Sequence, residues 1–221
     1  MIASQAAALH LNAITLSLAA RPLFPPLTAS VAPGEVLTVM GPSGCGKSSL
    51  LAFIAGTLEP VFTAHGRVAI GDDILNPLPP EARRIGIQFQ DDLLFPHLSV
   101  GENLLFALRV SPDCATRTQR RTRIEQALAE AGLAHYADRD PTTLSGGQRA
   151  RVALIRTLLA APRVLLLDEP FNKLDAALRN TFRQFVFEHA RTAGLPTLLV
   201  THDALDAAAA GGAVIEMGAS D

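Results

Sequence analysis

Nine consecutive residues constrain this chain more than any others: Gly41-Pro42-Ser43-Gly44-Cys45-Gly46-Lys47-Ser48-Ser49. They follow an apolar run, Val36 to Met40, that reads as a buried strand, and they lead into a helix predicted from Lys47 to about Ala55 and closed by Gly56. Glycines at these spacings permit a turn in which successive backbone N–H groups point inward, and the helix N-terminus adds the positive end of its dipole. A lysine at the end of such a turn reaches the β and γ phosphates of a nucleotide, and a hydroxyl at Ser48 can ligate Mg2+. The nine residues therefore read as a phosphate cradle on a strand-to-helix turn. The plain alternative, a glycine-rich turn without a ligand, leaves the strand before it and the helix after it unexplained.

The rest of the chain supplies the sheet that such a turn needs. Val164 to Leu167 and Thr197 to Thr201 read as two further buried strands, and Leu174, Leu178, Phe182, Phe185 and Val186, spaced by three and four, mark a helix between them. That is a parallel core. Near the N-terminus Leu9 and Leu11, then Ile14, Leu16 and Leu18, alternate with polar neighbours, which is the period of a half-buried strand with an irregularity in it. The middle differs: helical patterns near 100–109, 122–131 and 147–160, broken by Pro96, Pro112 and Pro141, describe an inserted helical subdomain. Pro77, Pro79 and Pro80 fall in a loop before it.

Size and charge narrow the function. A chain of 221 residues with 48% hydrophobic and 18% charged residues buries a sizeable core and is not a disordered tail. Its 19 basic and 21 acidic side chains, for a formal charge of −2, argue against general polyanion binding, so no nucleic-acid partner is expected. Cys45 and Cys114 make neither a disulfide framework nor a metal-ligand spacing, which fits a reducing compartment. The first twenty residues lack the basic start of a secretory signal, and no stretch offers the ~20 apolar residues of a membrane span. Any membrane role is expected to come through a partner.

Two more motifs decide among nucleotide-binding classes. Leu144-Ser145-Gly146-Gly147-Gln148 stands at the start of a predicted helix, where a serine hydroxyl and two glycine amides make another anion site. An ordinary serine-capped helix is the bland reading of those residues taken alone. Arg163 to Pro170 is an apolar strand ending in Asp168-Glu169. In a parallel sheet ligands sit at the carboxyl ends of strands, so Asp168 emerges where Lys47 and Ser48 do and suits Mg2+ coordination. Glu169 beside it suits the general base or polariser of an attacking water.

With the cradle and the pentapeptide Leu144 to Gln148, the sequence resembles the ATP-binding-cassette (ABC) ATPases over nearly its whole length. The resemblance implies an α/β fold: a P-loop NTPase core with a mainly parallel sheet, an N-terminal antiparallel β subdomain and an inserted helical subdomain. It implies one cassette spanning 1–221, with 1–90 and 161–221 as the nucleotide-binding core and 91–160 as the helical part carrying the signature. His202, at the end of the strand Leu198 to Thr201, matches the family's switch histidine, and Gln90, ending Ile85 to Gln90, matches its Q-loop glutamine, a further group near Mg2+ or water. Asp175 matches the D-loop aspartate, which in the family lies at the subunit contact.

What the resemblance implies for function follows residue by residue. Gly41 to Ser49 hold ATP and Mg2+, with Ser48, Gln90 and Asp168 on the metal, and Lys47, Gln90, Glu169 and His202 carry hydrolysis. Ser145, Gly146, Gly147 and Gln148 close the nucleotide of a second copy, because cradle and signature cannot meet around one nucleotide within one subunit. A head-to-tail homodimer is therefore expected, with transmembrane permease subunits docked on the region 90–110, including Phe95 to Asn103, and a solute-binding protein in the same system. Asp168-Glu169-Pro170-Phe171 and the Phe95 to Asn103 stretch resemble importers of small polar solutes or ions, so the expected location is the cytoplasmic face of the membrane, reached through the permease. The residues after His202 are few, so the regulatory extension that many such importers carry is not expected. A soluble, non-transport ABC ATPase acting in assembly or repair is the alternative class.

The sequence also departs from the family. An aromatic residue about 23 to 25 positions before the cradle usually stacks on adenine there, whereas Thr15 to Ala20 contain none, so aliphatic packing and weaker discrimination between ATP and GTP are expected, with Phe24, the nearest ring, as the competing candidate. Asn172 and Lys173 stand where small residues are commoner. Arg117, Arg120, Arg121 and Arg123 form one basic cluster, read as a solvated helix face.

Overall fold

Buried, β-branched and leucine-rich runs become strands, and the computed structural model, which describes residues 7–109, 111, 114–174 and 176–218, arranges them in two sheets. In chain order the first strands and helix are β1 (Leu9–Leu18), β2 (Arg21–Pro22), β3 (Leu27–Val31), β4 (Val36–Met40), α1 (Lys47–Ala55), β5 (Phe62–Ile70) and β6 (Asp73–Ile74). Then come α2 (Pro80–Arg83), β7 (Ile85–Gln88), α3 (Val100–Ala107), α4 (Arg117–Glu130) and α5 (Gly146–Leu159). The chain continues through β8 (Val164–Asp168), α6 (Ala176–Thr192), β9 (Thr197–Val200), α7 (Ala204–Ala210) and β10 (Val214–Glu216).

Contacts divide the chain into two units. The first holds the described residues of Met1–Ile87, Arg163–Glu169 and Phe187–Asp221; the second holds those of Gln88–Pro162 and Pro170–Val186. The fold is α/β, with a parallel sheet, an antiparallel sheet and helices.

In the first unit, one sheet has the order β10-β4-β9-β8-β7, with β10, β4, β9 and β8 paired in parallel. The other has the order β2-β1-β5-β6, with β3 also on β1, and its pairings are antiparallel. The irregularity read in β1 is a bulge. Its register shifts between Leu11 and Ile14 against β3, Ala13 sits at φ 49°, and the extra residue keeps Leu9, Leu11, Ile14 and Leu16 all fully buried on one face. Opposite the bulge, Gly66 is at φ 106°, and a Cβ there would lie 2.6 Å from the Ala13 carbonyl oxygen, so no side chain fits.

Proline placement misleads in one spot. The stretch expected to be loop contains the four-residue α2, entered through Pro79 and Pro80. Its Arg83 is buried and donates to the carbonyls of Phe53 and Ile54 at 2.9 Å each, to Leu78 at 2.9 Å and to Asn76 at 3.1 Å. It thereby satisfies carbonyls in the last turn of α1, which has no basic residue of its own there.

In the second unit α3, α4 and α5 pack together through Val100, Leu104, Ile124, Ala127, Leu128 and the buried face of α5. Helix α4 starts at Arg117, five residues before the apolar pattern does, because Thr116 and Gln119 form a capping box. Two of its arginines are engaged: Arg120 donates to the Cys114 carbonyl at 3.0 Å, and Arg121 pairs with Glu125 at 2.9 Å. In α6 the expected stripe holds for Phe182 and Val186, while Leu178 is exposed.

Candidate active site

Parallel pairing in the first unit aligns the chemistry. Val39 is opposite Val200, and Val200 is opposite Asp168, so the segments leaving β4, β8 and β9 emerge side by side at the carboxyl end of the sheet. These segments carry the 41–49 loop, Asp168-Glu169 and His202.

Each glycine of the loop meets a different demand. At Gly41 a Cβ would lie 2.3 Å from the Met217 carbonyl oxygen; at Gly46, which is at φ 96°, it would press on Leu23 and on the Phe24 ring, 3.2 Å away. Gly44, at φ 82°, faces open space. Lys47 starts α1 and is buried, with Nζ donating to the Gly41 carbonyl at 2.8 Å and the Pro42 carbonyl at 2.7 Å. The ammonium is thus curled into its own loop. Cys45 Sγ lies 3.8 Å from it.

Asp168 accepts a hydrogen bond from the Ser48 hydroxyl. Burial raises its pKa above the ordinary aspartate value, helped by the neighbouring Glu169, while Ser48 and the Lys47 charge pull the other way. Glu169 holds its backbone at φ 48°, a conformation that costs an L-residue about 1–2 kcal/mol. Its N–H donates to the Val200 carbonyl at 2.9 Å, which fastens the turn to β9. Its Oε1 lies 3.1 Å from His202 Nδ1. An ionised carboxylate only accepts, so Nδ1–H is the donor and Nε2 is left for another partner. The His202 side chain is 62% exposed and that of Glu169 20%. On either side of His202, Thr201 donates to buried Asp206 at 2.7 Å and Asp203 caps α7. The histidine projects from an anchored corner.

The second unit carries the signature residues. Ser145 caps α5, accepting from Gln148 N–H at 3.2 Å, while its own N–H donates to the Gln148 side chain at 2.9 Å. The serine cap, the bland reading of this motif, is present. The two glycines differ: a Cβ on Gly147 would sit 3.2 Å from both the Lys173 carbonyl oxygen and Leu174, whereas a Cβ on Gly146 would meet nothing within 4 Å. The fold needs Gly147 and not Gly146. Gln90 is exposed, and the segment after it is held by Arg149 on Asp92 at 2.9 Å, by Arg156 on the Leu93 carbonyl at 2.8 Å and by Lys173 on Asp91 at 3.2 Å. Asp175 lies outside the described residues.

A family model described as ABC transporter matches residues 24–172. The chain belongs to the ABC transporter family. ABC transporter ATP-binding protein YnjD of Escherichia coli K12 is 50% identical over 173 residues, 78% of each chain. The sn-glycerol-3-phosphate import ATP-binding protein UgpC of Paracoccus denitrificans is 43% identical over 198 residues, 89% of this chain and 54% of that one. The maltose/maltodextrin import ATP-binding protein MalK of Salmonella typhimurium is 45% identical over 174 residues, 79% of this chain and 46% of that one. The match thus spans about half the length of those two import proteins. Among solved structures, the dimeric bacterial ABC transporter cassette MJ0796 superposes with a TM-score of 0.79 at 29% identity, covering 95% of this chain and 94% of that one. Its dimeric post-hydrolysis form bound to ADP and Pi superposes equally well, at 28% identity over 96% of this chain and 97% of that one.

One of the two possibilities left open for the adenine contact in this ABC cassette is removed. Phe24, the ring nearest in sequence to the Thr15 to Ala20 stretch, is 2% exposed and sits in the core against Gly46, so it cannot fold over a base. The arginines that hold 91–93 also went unread in the sequence. Arg149 directly follows the signature, and its spacing to Asp92 has no sequence signal.

Proposed function

We propose that this chain is the ATP-hydrolysing subunit of an ABC importer and that it works as a homodimer. The observation that carries the reading is the convergence, at one end of one parallel sheet, of the 41–49 loop, Asp168, Glu169 and His202. A phosphate chain entering the loop offers Lys47 better acceptors than the two carbonyls it now holds, and the backbone N–H groups of 43–48 turn toward the anion. Ser48 and Asp168, already hydrogen-bonded to each other, are hard oxygen donors that suit Mg2+. Held by Ser48 and Asp168, Mg2+ would supply positive charge to offset that developing on the phosphates.

Hydrolysis then needs a base. Glu169 accepts the proton of a water as that water attacks the γ phosphorus, and the β–γ bridging oxygen leaves with ADP. His202 Nδ1–H holds the carboxylate in position, and its exposed ring reaches toward the γ phosphate. Ser145, Gly146, Gly147 and Gln148 of a second copy complete each site. The dimeric cassette neighbour supports this arrangement, as does the unfilled space at Gly146. ATP binding draws two copies together and hydrolysis releases them, a population shift driven by ligand.

No helix among the described residues is long and apolar enough to cross a membrane; in this proposal the motion is delivered to permease subunits. Leu93, Leu105 and Phe106 form exposed apolar surface in the expected docking stretch, while Asn103 is internal, bonded to Phe95, Leu98 and Ser99. Relatives named as import subunits favour transport of a small polar solute over a soluble assembly or repair role. The deciding experiment is Glu169→Gln with Mg2+ and ATP: hydrolysis is expected to stop while sizing chromatography shows a trapped dimer. A mutant that stays monomeric and hydrolyses at the wild-type rate removes Glu169 from the mechanism. Recovery in the membrane fraction only on co-expression with a neighbouring permease separates transport from the soluble role.

A further inference from the structure

The cradle opens onto an apolar groove whose ring comes from an unexpected strand. A cavity of about 210 Å3 beside the start of α1 is lined by Lys47, Ser48 and Ser49 together with Leu18, Leu23 and Phe62. Leu18 and Phe62 face each other across β1 and β5 in direct register, so their side chains form one continuous wall. Leu18 is 38% exposed and Phe62 is half-buried, an apolar surface left open next to a polar helix start. A neighbouring cavity of about 330 Å3 shares Leu18, Leu23 and Gly44 with the first and continues past Arg21 and Pro22. Phe62 is the one aromatic side chain lining either cavity.

We propose that the base of the bound nucleotide stacks on Phe62, with Leu18 and Leu23 as the aliphatic part of the same wall. The stretch Thr15 to Ala20 has no aromatic and Phe24 is committed to the core, yet the groove is not without a ring. It is supplied by the strand that pairs with β1. A nucleotide whose phosphates occupy the loop and the N-terminus of α1 directs its ribose and base away from Lys47, and the wall running from Ser49 to Phe62 is the apolar surface next to them. Stacking on a phenyl face is tolerant of base identity, and Lys47, Ser48 and Ser49 are the hydrogen-bonding side chains among the residues lining the 210 Å3 cavity. Phe62 therefore adds affinity for any purine and gives little discrimination between ATP and GTP.

This inference rests on the nucleotide reading above, and the test separates the two. The chain has no tryptophan, so Phe62→Trp introduces a single emission probe at the proposed contact. ATP and GTP are expected to quench or shift that emission saturably, while tripolyphosphate, which lacks a base, binds without doing so. In Phe62→Ala, ATP and GTP affinity is expected to fall by about tenfold, the effect of a stacking contact at ~1.4 kcal/mol per decade, with tripolyphosphate affinity unchanged. A merely structural Phe62 would move all three ligands together, and that result overturns the proposal. Unchanged ATP affinity in Phe62→Ala, or ATP binding that leaves the Trp emission flat, overturns it as well while leaving the nucleotide reading intact. Failure of ATP and tripolyphosphate alike to bind the wild type would remove both.

Discussion

Gly146 and Gly147 are adjacent in sequence and identical in composition, and the structure separates them. Replacing Gly146, the first residue of α5, with alanine adds a methyl group that meets nothing within 4 Å and removes a backbone-entropy cost. In a helix interior that gain is roughly 0.5–1 kcal/mol, and less in the first turn. At about 2–4 °C per kcal/mol for a chain of this size, Tm should rise by roughly 1–3 °C. Gly147→Ala instead drives a Cβ to 3.2 Å from Leu174 and from the Lys173 carbonyl oxygen. The leucine can rotate, but the carbonyl belongs to the backbone, and overpacking of this kind costs ~1–3 kcal/mol, so Tm should fall. Function should run the other way for Gly146. If a second copy brings its nucleotide to this surface, the added methyl fills the approach, and ATP turnover should drop at least about tenfold, equivalent to ~1.4 kcal/mol of barrier, in a protein that melts higher than wild type. Thermal melts of the nucleotide-free proteins, steady-state phosphate release and sizing chromatography with ATP measure the three effects. A Gly146→Ala protein with raised Tm and wild-type turnover would refute the reasoning, because the open space would then have no visitor.

Lys47→Ala should lose most nucleotide affinity, whereas Ser145→Arg should keep binding in the monomer and lose turnover; mixing the two inactive proteins should restore partial activity, and no recovery with mixed dimers shown to form would count against a two-chain site. Asp168→Asn, melted in EDTA without nucleotide, should be more stable than wild type at neutral pH. The folded state raises the Asp168 pKa above 3.8, so its buried charge is a penalty that is complete above the folded pKa and disappears as pH falls through that value toward 3.8. The difference in Tm should therefore shrink on acidification, and a difference that grows would reverse the assigned cause.

Local patterns made the core legible. Strand β4, helix α1 and its Gly56 cap fall where the sequence put them, because a buried parallel strand is a continuous apolar run and a strand-to-helix phosphate turn needs glycines at set spacings. The β1 irregularity was visible as a break in alternation, since one inserted residue flips every later side chain unless the backbone bulges. Helix α4 was read five residues short for the opposite reason: its first turns carry arginines and a capping box, and apolar period is silent where a helix faces water.

What the sequence determined by itself is the set of chemically specific residues: Lys47, Ser48, Asp168, Glu169, His202 and the signature at 144–148, each tied to a strand end or helix start by short-range rules. Only the tertiary structure decided which rings and glycines serve them. Phe24 and Phe62 look alike in the sequence, and the one nearer to Leu18 along the chain is buried under Gly46 while the farther lines the groove, because strand pairing brings β5 to Leu18 across 43 intervening positions. Arg83 reaching the end of α1 and Arg149 reaching Asp92 are decisions of the same kind. Spacing along a chain encodes periodicity within one element, whereas pairing between elements depends on which surfaces remain to be buried once each element has formed.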